Sequence, residues 1–299
     1  MQPKRVWKQV DGVLLLDKPV GMTSNDALQK ARRLFSAAKA GHTGTLDPLA
    51  SGLLPLCFGE ATKFSADLLH ADKTYIASLK LGVTTDTGDA EGRVLQTHPV
   101  TVSETDLLEL LPRFVGNITQ VPPMYSALKR DGRPLYELAR QGMTVERAPR
   151  QITIHALTLL ACEDGIAVLR VACSKGTYIR VLAEDIGAAL GCGAHLAGLR
   201  RTLVGELDLA QAVTLAELES LDEDSRLARL APVDALLQEL PKVLLDEAAC
   251  QRFQHGNPVP VPAGLSGLCR AYDGMRLLGV GEIRADGKFW PKRLVQLVQ

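Results

Sequence analysis

The 299-residue sequence predicts an α+β protein, in which a mixed, largely antiparallel sheet is flanked by helices and followed by a small β-rich domain. Apolar residues recur with helical spacing in some segments and with strand spacing in others, without the regular βαβα order of a doubly wound fold. Hydrophobic residues make up 46% of the chain and charged residues 23%, so a sizeable core can form. Pro and Gly divide roughly the last sixty residues into short segments, which indicates the second domain.

Two segments of the larger domain have the pattern of amphipathic helices. The segment Asn25–Phe35 places its apolar residues on one face, and either Ser24 or Asn25 is suited to be its N-cap. A second helix is predicted from apolar residues at helical spacing, followed by Gly191 as a candidate C-cap. These apolar residues are Ile179, Leu182, Ala183, Ile186 and Leu190.

Three segments have the pattern of strands. Tyr75–Leu81 alternates apolar residues with a mixed face. Gln151–Leu160 and Ile166–Cys173 are rich in β-branched residues, and the dipeptide Asp164-Gly165 between them favours a type I′ turn. The sequence therefore predicts a strand and a long antiparallel hairpin.

The C-terminal segment predicts a separate β-rich module. Pro258, Pro260 and Pro262 interrupt an extended stretch, and only Asp246–Phe253 has a helical pattern. The change in character near residues 240–241 divides the chain into predicted domains of residues 1–240 and 241–299.

The overall charge is balanced, but the charges are unevenly distributed. Lys and Arg number 34, and Asp and Glu also number 34. Residues 1–40 and 129–150 are basic, whereas residues 217–239 are mostly acidic, so a local basic surface for nucleic acid remains open. Apolar runs are shorter than the roughly 18 residues that a membrane span needs, and no signal-peptide core follows the N-terminus. We therefore expect a cytoplasmic protein without a membrane span.

Cysteine and histidine patterns give no sign of a metal site. The six cysteines and six histidines are scattered, without the close spacing of a zinc site or a redox dithiol. We expect the cysteines to be free thiols.

The segment Gly41–Gly52 is the first candidate for chemistry. Three glycines surround Asp47, and Pro48 disfavours helical geometry at this aspartate. The segment lacks the phosphate-binding P-loop pattern. Either a carboxylate is presented to a ligand on this loop, or the segment forms an ordinary Asx-type turn.

The second candidate segment is Cys173–Arg180, which runs from a strand into a helix. Arg180 lies in the first helical turn, where the helix dipole disfavours a cation, so a partner carboxylate is expected unless the side chain is simply exposed. Tyr75, in Asp72-Lys73-Thr74-Tyr75, begins a strand, and the pattern alone favours packing in the core.

Together these blocks resemble the TruB family of tRNA pseudouridine synthases, which isomerise the T-loop uridine at tRNA position 55. The resemblance spans about residues 10–210 and implies the pseudouridine synthase fold, with a C-terminal PUA-like RNA-binding domain at 241–299. It also implies that an insertion at about 122–150 closes over the RNA loop. The blocks that carry it are Asp17-Lys18-Pro19-x-Gly21-Met22-Thr23-Ser24, Gly41–Gly52, Lys73-x-Tyr75, Cys173-x-Lys175-Gly176-Thr177-Tyr178-Ile179-Arg180 and Leu199-Arg200-Arg201.

The resemblance also implies a role for each candidate residue. Asp47 would be the catalytic carboxylate, Arg180 its ion-pair partner, and Tyr75 a catalytic residue that stacks on the extruded uracil and offers its hydroxyl as proton acceptor. Tyr178 and Leu199 would complete the uracil pocket. His42 would occupy the space left by displaced bases.

The reaction and the resemblance together define the expected partners. The isomerisation gains no atom and transfers no electron, so we expect neither a cofactor nor a metal. The expected partner is the T-arm of tRNA. Because the sequence has neither repeats nor an obvious apolar stripe, we expect a monomer.

Two other interpretations remain open from the sequence. A non-catalytic protein that binds and refolds tRNA would need the same surfaces without the catalytic carboxylate, and both functions could coexist. Asp86-Thr87-Gly88 matches the catalytic triplet of aspartic proteases, although Asp89 and Glu91 indicate a polar turn instead.

Overall fold

The computed structural model describes residues 6–126, 128–130, 132–261 and 264–296. The strands are β1 Gly12–Lys18, β2 Ala40–His42, β3 Ala50–Phe58, β4 Lys73–Leu81, β5 Val83–Thr85, β6 Val94–Thr97, β7 Gly116–Gln120, β8 Lys129–Arg130, β9 Arg133–Pro134, β10 Arg150–Glu163, β11 Ile166–Cys173, β12 Ala194–Val204, β13 Leu207–Asp208, β14 Val213–Thr214, β15 Lys242–Leu244, β16 Val259–Pro260, β17 Gly267–Asp273, β18 Arg276–Ile283 and β19 Lys288–Leu294. The α-helices are α1 Ser24–Leu34, α2 Ser65–Leu69, α3 Glu104–Leu110, α4 Leu135–Arg140, α5 Ile179–Ala189, α6 Leu215–Ser220, α7 Glu223–Leu227 and α8 Glu247–Gln254.

The larger sheet has the strand order β14-β1-β3-β12-β4-β11-β10-β7, with β2 added on β3 and β13 on β12. Two of its pairings, β1 with β14 and β12 with β3, are parallel, and the other pairings are antiparallel. The predicted mixed, largely antiparallel sheet is therefore confirmed.

The pairing of β3 with β12 is unusually close. Gly52 of β3 has a φ of +98°, and a Cβ at this position would lie 2.3 Å from the carbonyl oxygen of Arg201. Only glycine allows the two backbones to approach in this way.

Hydrophobic cores cover both ends of the large sheet. One cluster includes Leu79 of β4, Leu169 of β11 and Ile186 of α5, and a second includes Leu14 of β1 and Leu54 of β3. Burying each such leucine contributes about 1.5–3 kcal/mol. Tyr75 and Leu199 pack against both clusters, so both side chains are held in place where the two clusters meet.

Both predicted helices of the larger domain form. The N-cap of α1 is Thr23, not Ser24 or Asn25, because Thr23 has extended backbone and its Oγ1 accepts a hydrogen bond from the Asp26 amide at 3.1 Å. Helix α5 ends at Ala189, and Gly191 follows its C-cap residue with a φ of +78°. Its left-handed geometry agrees with the predicted glycine stop.

The predicted hairpin also forms, as β10 and β11. Asp164 and Gly165 have φ values of 51° and 70°, as a type I′ turn requires. The strand predicted over Tyr75–Leu81 begins two residues earlier, at Lys73.

A second sheet, of order β15-β17-β18-β19-β16, forms the C-terminal part together with α8. Its core includes Phe253 stacked on Phe289 at 4.8 Å between ring centroids. This sheet confirms the predicted β-rich module, although Pro262 lies outside the described residues. Helix α8 includes most of the predicted helical segment, and Asp246 is its N-cap. Within the described ranges, no helix is long and apolar enough to span a bilayer.

Candidate active site

A cleft of about 300 Å³ lies where β4, β12, the β2–β3 loop and the N-terminus of α5 converge. This volume is at the lower end of the range for pockets that bind small ligands. The lining residues are Gly44, Thr45, Leu46, Asp47, Leu69, Lys73, Tyr75, Ser126, Ser174, Gly176, Thr177, Tyr178, Ile179, Arg180, Leu199 and Arg201. The cleft thus contains five of the six residues predicted from the sequence.

Hydrogen bonds on both sides of Asp47 fix the loop that carries it. The Ser24 hydroxyl accepts a hydrogen bond from the Leu46 amide at 2.8 Å and donates one to the Leu46 carbonyl at 3.0 Å. The amide of Gly21 donates to the Pro48 carbonyl at 2.8 Å. The backbone on both sides of Asp47 is therefore tied to the start of α1, while its side chain remains 48% exposed at the cleft.

Arg180 is the ion-pair partner of Asp47. Its Nη2 lies 3.1 Å from Asp47 Oδ2, and the arginine side chain is only 9% exposed. The same nitrogen donates to the Tyr125 carbonyl at 2.6 Å, and Nη1 donates to the Thr87 carbonyl at 3.1 Å. These bonds fix the guanidinium, which in turn restricts the rotamers of the catalytic candidate.

Asp89 is a second carboxylate on Arg180 that sequence reasoning did not identify. Its Oδ2 lies 3.4 Å from Arg180 Nη1, and its side chain is 5% exposed. Its Oδ1 accepts hydrogen bonds from the Thr87 hydroxyl at 2.6 Å and the Glu91 amide at 3.1 Å. One buried and one accessible carboxylate therefore share a single guanidinium.

The protease-like triplet lies in this same turn. Asp86 accepts a hydrogen bond from the Arg93 amide and lies 3.8 Å from the Arg93 guanidinium. It is not among the residues that line the cleft. Asp86 thus closes a surface turn, as the polar-turn interpretation expects.

Tyr75 lies on β4 at the floor of the cleft, directly across from Arg201 of β12. Burial raises the pKa of the Tyr75 hydroxyl, and the charge of Arg201 opposes this rise. The hydroxyl is therefore neutral at pH 7 and close to a cation.

Tyr178 and Leu199 line two further sides of the cleft. Tyr178 is the N-cap residue of α5, and Gln120 of β7 binds its backbone twice: the amide donates to Gln120 Oε1 at 3.0 Å, and Gln120 Nε2 donates to the carbonyl at 3.3 Å. Leu199 pairs with Ala77 of β4 and Ala50 of β3. Nothing in the sequence pattern had indicated the buried Gln120.

His42 is the predicted residue that the structure does not place in the cleft. It lies on β2 opposite Leu56, two residues before the first lining residue. Among the described residues, no partner binds its buried Nδ1. Burial, with a smaller contribution from the charge of Arg201, lowers the pKa of His42, so the ring is neutral at pH 7.

The charges around the cleft favour an anionic ligand. Lys73, Arg180 and Arg201 line it together with the carboxylate of Asp47, and the buried Asp89 pairs with Arg180 from outside the lining. Three cations thus face two carboxylates. Burial lowers the pKa of Lys73 to about 8, so this lysine remains mostly protonated at pH 7. Within the described part of the chain, no group of three or more His, Cys, Asp or Glu side chains is arranged to hold a metal ion. The arrangement suits a ligand with phosphates and a flat ring.

Three family models match consecutive parts of the chain. Residues 32–179 match the N-terminal domain of the TruB family of pseudouridylate synthases. Residues 180–238 match the C-terminal domain described for tRNA pseudouridylate synthase B, and residues 241–295 match the C-terminal region of pseudouridine synthase II TruB.

Full-length relatives and a solved structure agree with these matches. The chain is 70% identical to tRNA pseudouridine synthase B of Dechloromonas aromatica, over 99% of both chains. It is 60% identical to tRNA pseudouridine synthase B of Burkholderia mallei, over 98% of this chain and 97% of the relative. A solved H/ACA RNP bound to a substrate RNA containing 2′-deoxyuridine contains a chain with 28% identity and a TM-score of 0.69, covering 91% of this chain and 77% of that one. The chain therefore belongs to the TruB family of pseudouridine synthases.

Proposed function

We propose that the chain converts the uridine at position 55 in the T-loop of tRNA to pseudouridine, with Asp47 as the catalytic carboxylate. The observation that carries this proposal is the half-exposed Asp47 carboxylate, 3.1 Å from Arg180 at the edge of a cleft whose floor is Tyr75. The names of the 70% and 60% identical relatives support tRNA as the substrate.

The chemistry of the isomerisation explains why a fixed carboxylate is needed. The bond from N1 to C1′ breaks, the uracil rotates and C5 bonds to C1′, while C5 loses a proton and N1 gains one. No electron is gained or lost overall, so the reaction requires no redox cofactor. An anionic Asp47 next to the sugar can act as a nucleophile, as a base or as a stabiliser of positive charge.

The remaining cleft residues would hold the detached base. Tyr75 and Tyr178 supply flat rings and Leu199 an apolar side, which together confine a uracil during its rotation. The Tyr75 hydroxyl is positioned to take part in proton transfer. His42, outside the cleft lining, would stack in the space that the flipped nucleotide leaves in the RNA loop.

Base flipping costs a few kcal/mol of lost stacking, which contacts to the RNA backbone must offset. We propose that residues 122–150 supply part of these contacts. Lys129, Arg130, Arg133, Arg140 and Arg150 are exposed there. No carboxylate of a described residue lies within 4.0 Å of their charged groups, so these cations are available to phosphates.

The proposed domain division follows the two sheets. Residues 1–240 would form the catalytic domain, and the PUA-like module of residues 241–299 would bind a further part of the RNA. We also propose that the protein acts as a monomer in the cytoplasm, where unmodified tRNA is available.

The decisive experiment compares Asp47→Asn with wild type on an unmodified tRNA transcript. Pseudouridine is mapped by carbodiimide labelling, and binding is measured by filter retention. We expect Asp47→Asn to bind tRNA normally and to form no pseudouridine, because the amide carries no charge. Asp224→Asn, on the exposed helix α7, is the matched control and should keep full activity. Appreciable turnover by Asp47→Asn would refute the catalytic assignment, and an inactive wild type would favour a purely RNA-binding protein.

A second experiment tests the insertion. Replacing Lys129, Arg130 and Arg133 together by Gln should weaken tRNA binding. The slope of log Kd against log salt concentration should also fall by about one for each phosphate contact that is lost. Lys30→Gln, which removes a cation already paired with Glu219 at 2.8 Å, is the control. An unchanged slope in the triple variant would contradict the proposed phosphate contacts.

A further inference from the structure

Arg201 is a buried cation with no carboxylate partner. It is 1% exposed and nevertheless lines the cleft. Among the residues that the structure describes, no carboxylate lies within 4.0 Å of its guanidinium, whereas the neighbouring Arg200 pairs with Asp17 at 2.7 Å. Burying an unpaired charge is costly, so stability alone does not explain an arginine at this position.

The hydrogen bonds of Arg201 span the segment that carries Asp47. Its Nε donates to the Leu53 carbonyl at 2.7 Å, and its Nη2 donates to the Gly44 carbonyl at 3.1 Å. These carbonyls lie on either side of Asp47 in the sequence. A single guanidinium therefore ties together the two ends of the loop that presents the carboxylate.

The same side chain reaches Tyr75. The two residues are directly opposite each other on β12 and β4, and both line the cleft. The charge of Arg201 also lowers the pKa of the Tyr75 hydroxyl, against the effect of burial. Lysine could not replace these contacts, because a single ammonium lacks the fixed fork of donors that reaches several acceptors at once.

We propose that Arg201 is a positioning residue of the reaction, which holds the Asp47 loop and the Tyr75 hydroxyl in fixed relation to each other across the cleft. This inference rests on the proposed function. Both groups must stay aligned on one nucleotide while the base detaches and rotates, and a shift of about 1 Å in such a group costs about 100-fold in rate. Arg201 therefore acts on the chemical step and not on the affinity for RNA.

The first test uses Arg201→Lys and Arg201→Gln, with Arg200→Lys as the matched control. Single-turnover rates and tRNA Kd values are measured, and thermal unfolding identifies the variants that are folded. We expect both Arg201 variants to react about 100-fold more slowly with nearly unchanged Kd, and the control to match wild type. A normal rate in a folded Arg201 variant, or a Kd that weakens as much as the rate, would overturn the proposal.

The second test is a double-mutant cycle with Tyr75→Phe. If Arg201 acts partly through the Tyr75 hydroxyl, Arg201→Lys should cost at least about tenfold less in the Tyr75→Phe background than in wild type. Additive losses would refute this coupling. Tyr75→Phe removes the hydroxyl but keeps every hydrogen bond of Arg201 to the loop. If this single variant reacts as fast as wild type, the coupling is refuted. This result does not depend on whether the Arg201 variants fold. Wild type is the reference throughout: if it forms no pseudouridine, the proposed function fails instead.

Discussion

Arg180 holds one buried and one accessible carboxylate, so its removal should affect stability and catalysis through different partners. In Arg180→Met, the buried Asp89 carboxylate loses its ion-pair partner. Breaking a buried pair from one side costs about 3–5 kcal/mol. Asp47 is 48% exposed and stays hydrated, so its pair with Arg180 adds little to stability. We therefore expect a melting temperature lower by on the order of 10 °C.

The double variant Arg180→Met/Asp89→Asn separates the two effects. An asparagine at position 89 removes the stranded charge, and its Oδ1 can still accept hydrogen bonds from the Thr87 hydroxyl and the Glu91 amide. The double variant should regain most of the lost stability, to within about 1 kcal/mol of wild type. It should remain inactive, because Asp47 still lacks the guanidinium.

The assay is urea denaturation and thermal unfolding, combined with single-turnover pseudouridine formation. Two results would refute the reasoning about Asp89. In one, Arg180→Met unfolds at the wild-type temperature; in the other, Asp89→Asn gives no recovery in the Arg180→Met background. Recovery of activity together with stability would instead show that Arg180 serves only the fold.

Three further predictions concern single positions. Tyr75→Phe should lower the single-turnover rate by about 10²–10⁴-fold if the hydroxyl transfers a proton, and Tyr75→Leu should also lose the stacking contact; equal rates for Phe and wild type would leave stacking alone. Gly52→Ala should destabilise the protein by on the order of 3 kcal/mol in urea denaturation, because of its φ of +98° and the 2.3 Å contact with Arg201; an unchanged midpoint would contradict this. Burial lowers the pKa of Lys18 from 10.5 to about 8. Between about pH 8 and 10.5 the unfolded chain therefore binds more protons than the folded chain, so the free energy of unfolding should rise with pH over this range. An equal rise in Lys18→Met would be inconsistent with this assignment.

Local patterns predict which helices and strands form better than they predict where each of them begins and ends. The hairpin β10–β11 follows from Asp164-Gly165, because both residues adopt the positive φ that the turn needs. The start of α1 was predicted one or two residues too late, since Thr23, Ser24 and Asn25 are all suited to be caps. Tertiary structure decides between them: the hydroxyl of Ser24 is used to hold Leu46 of the Asp47 loop.

The residues of the cleft were predictable where a motif marks a residue, and not where burial alone brings a residue to the cleft. Asp47 and Arg180 stood out because of their backbone context and the family resemblance. Asp89 reads as a polar turn residue, and only the fold shows that its side chain is buried against Arg180. Gln120 is distant in sequence from Tyr178, whose backbone it binds, so no local signal could identify it.

The position of β12 between β3 and β4 has a consequence for protein synthesis. Asp47 precedes β3 on one half of the sheet, and Tyr75 lies in β4 on the other half, yet the strand that joins the halves is among the last of the sheet to leave the ribosome. A nascent chain that ends before residue 194 has no strand to join the two halves. Completion of the cleft is thus delayed until about two thirds of the chain has been translated, so polypeptides that end before β12 cannot bring Asp47 and Tyr75 together.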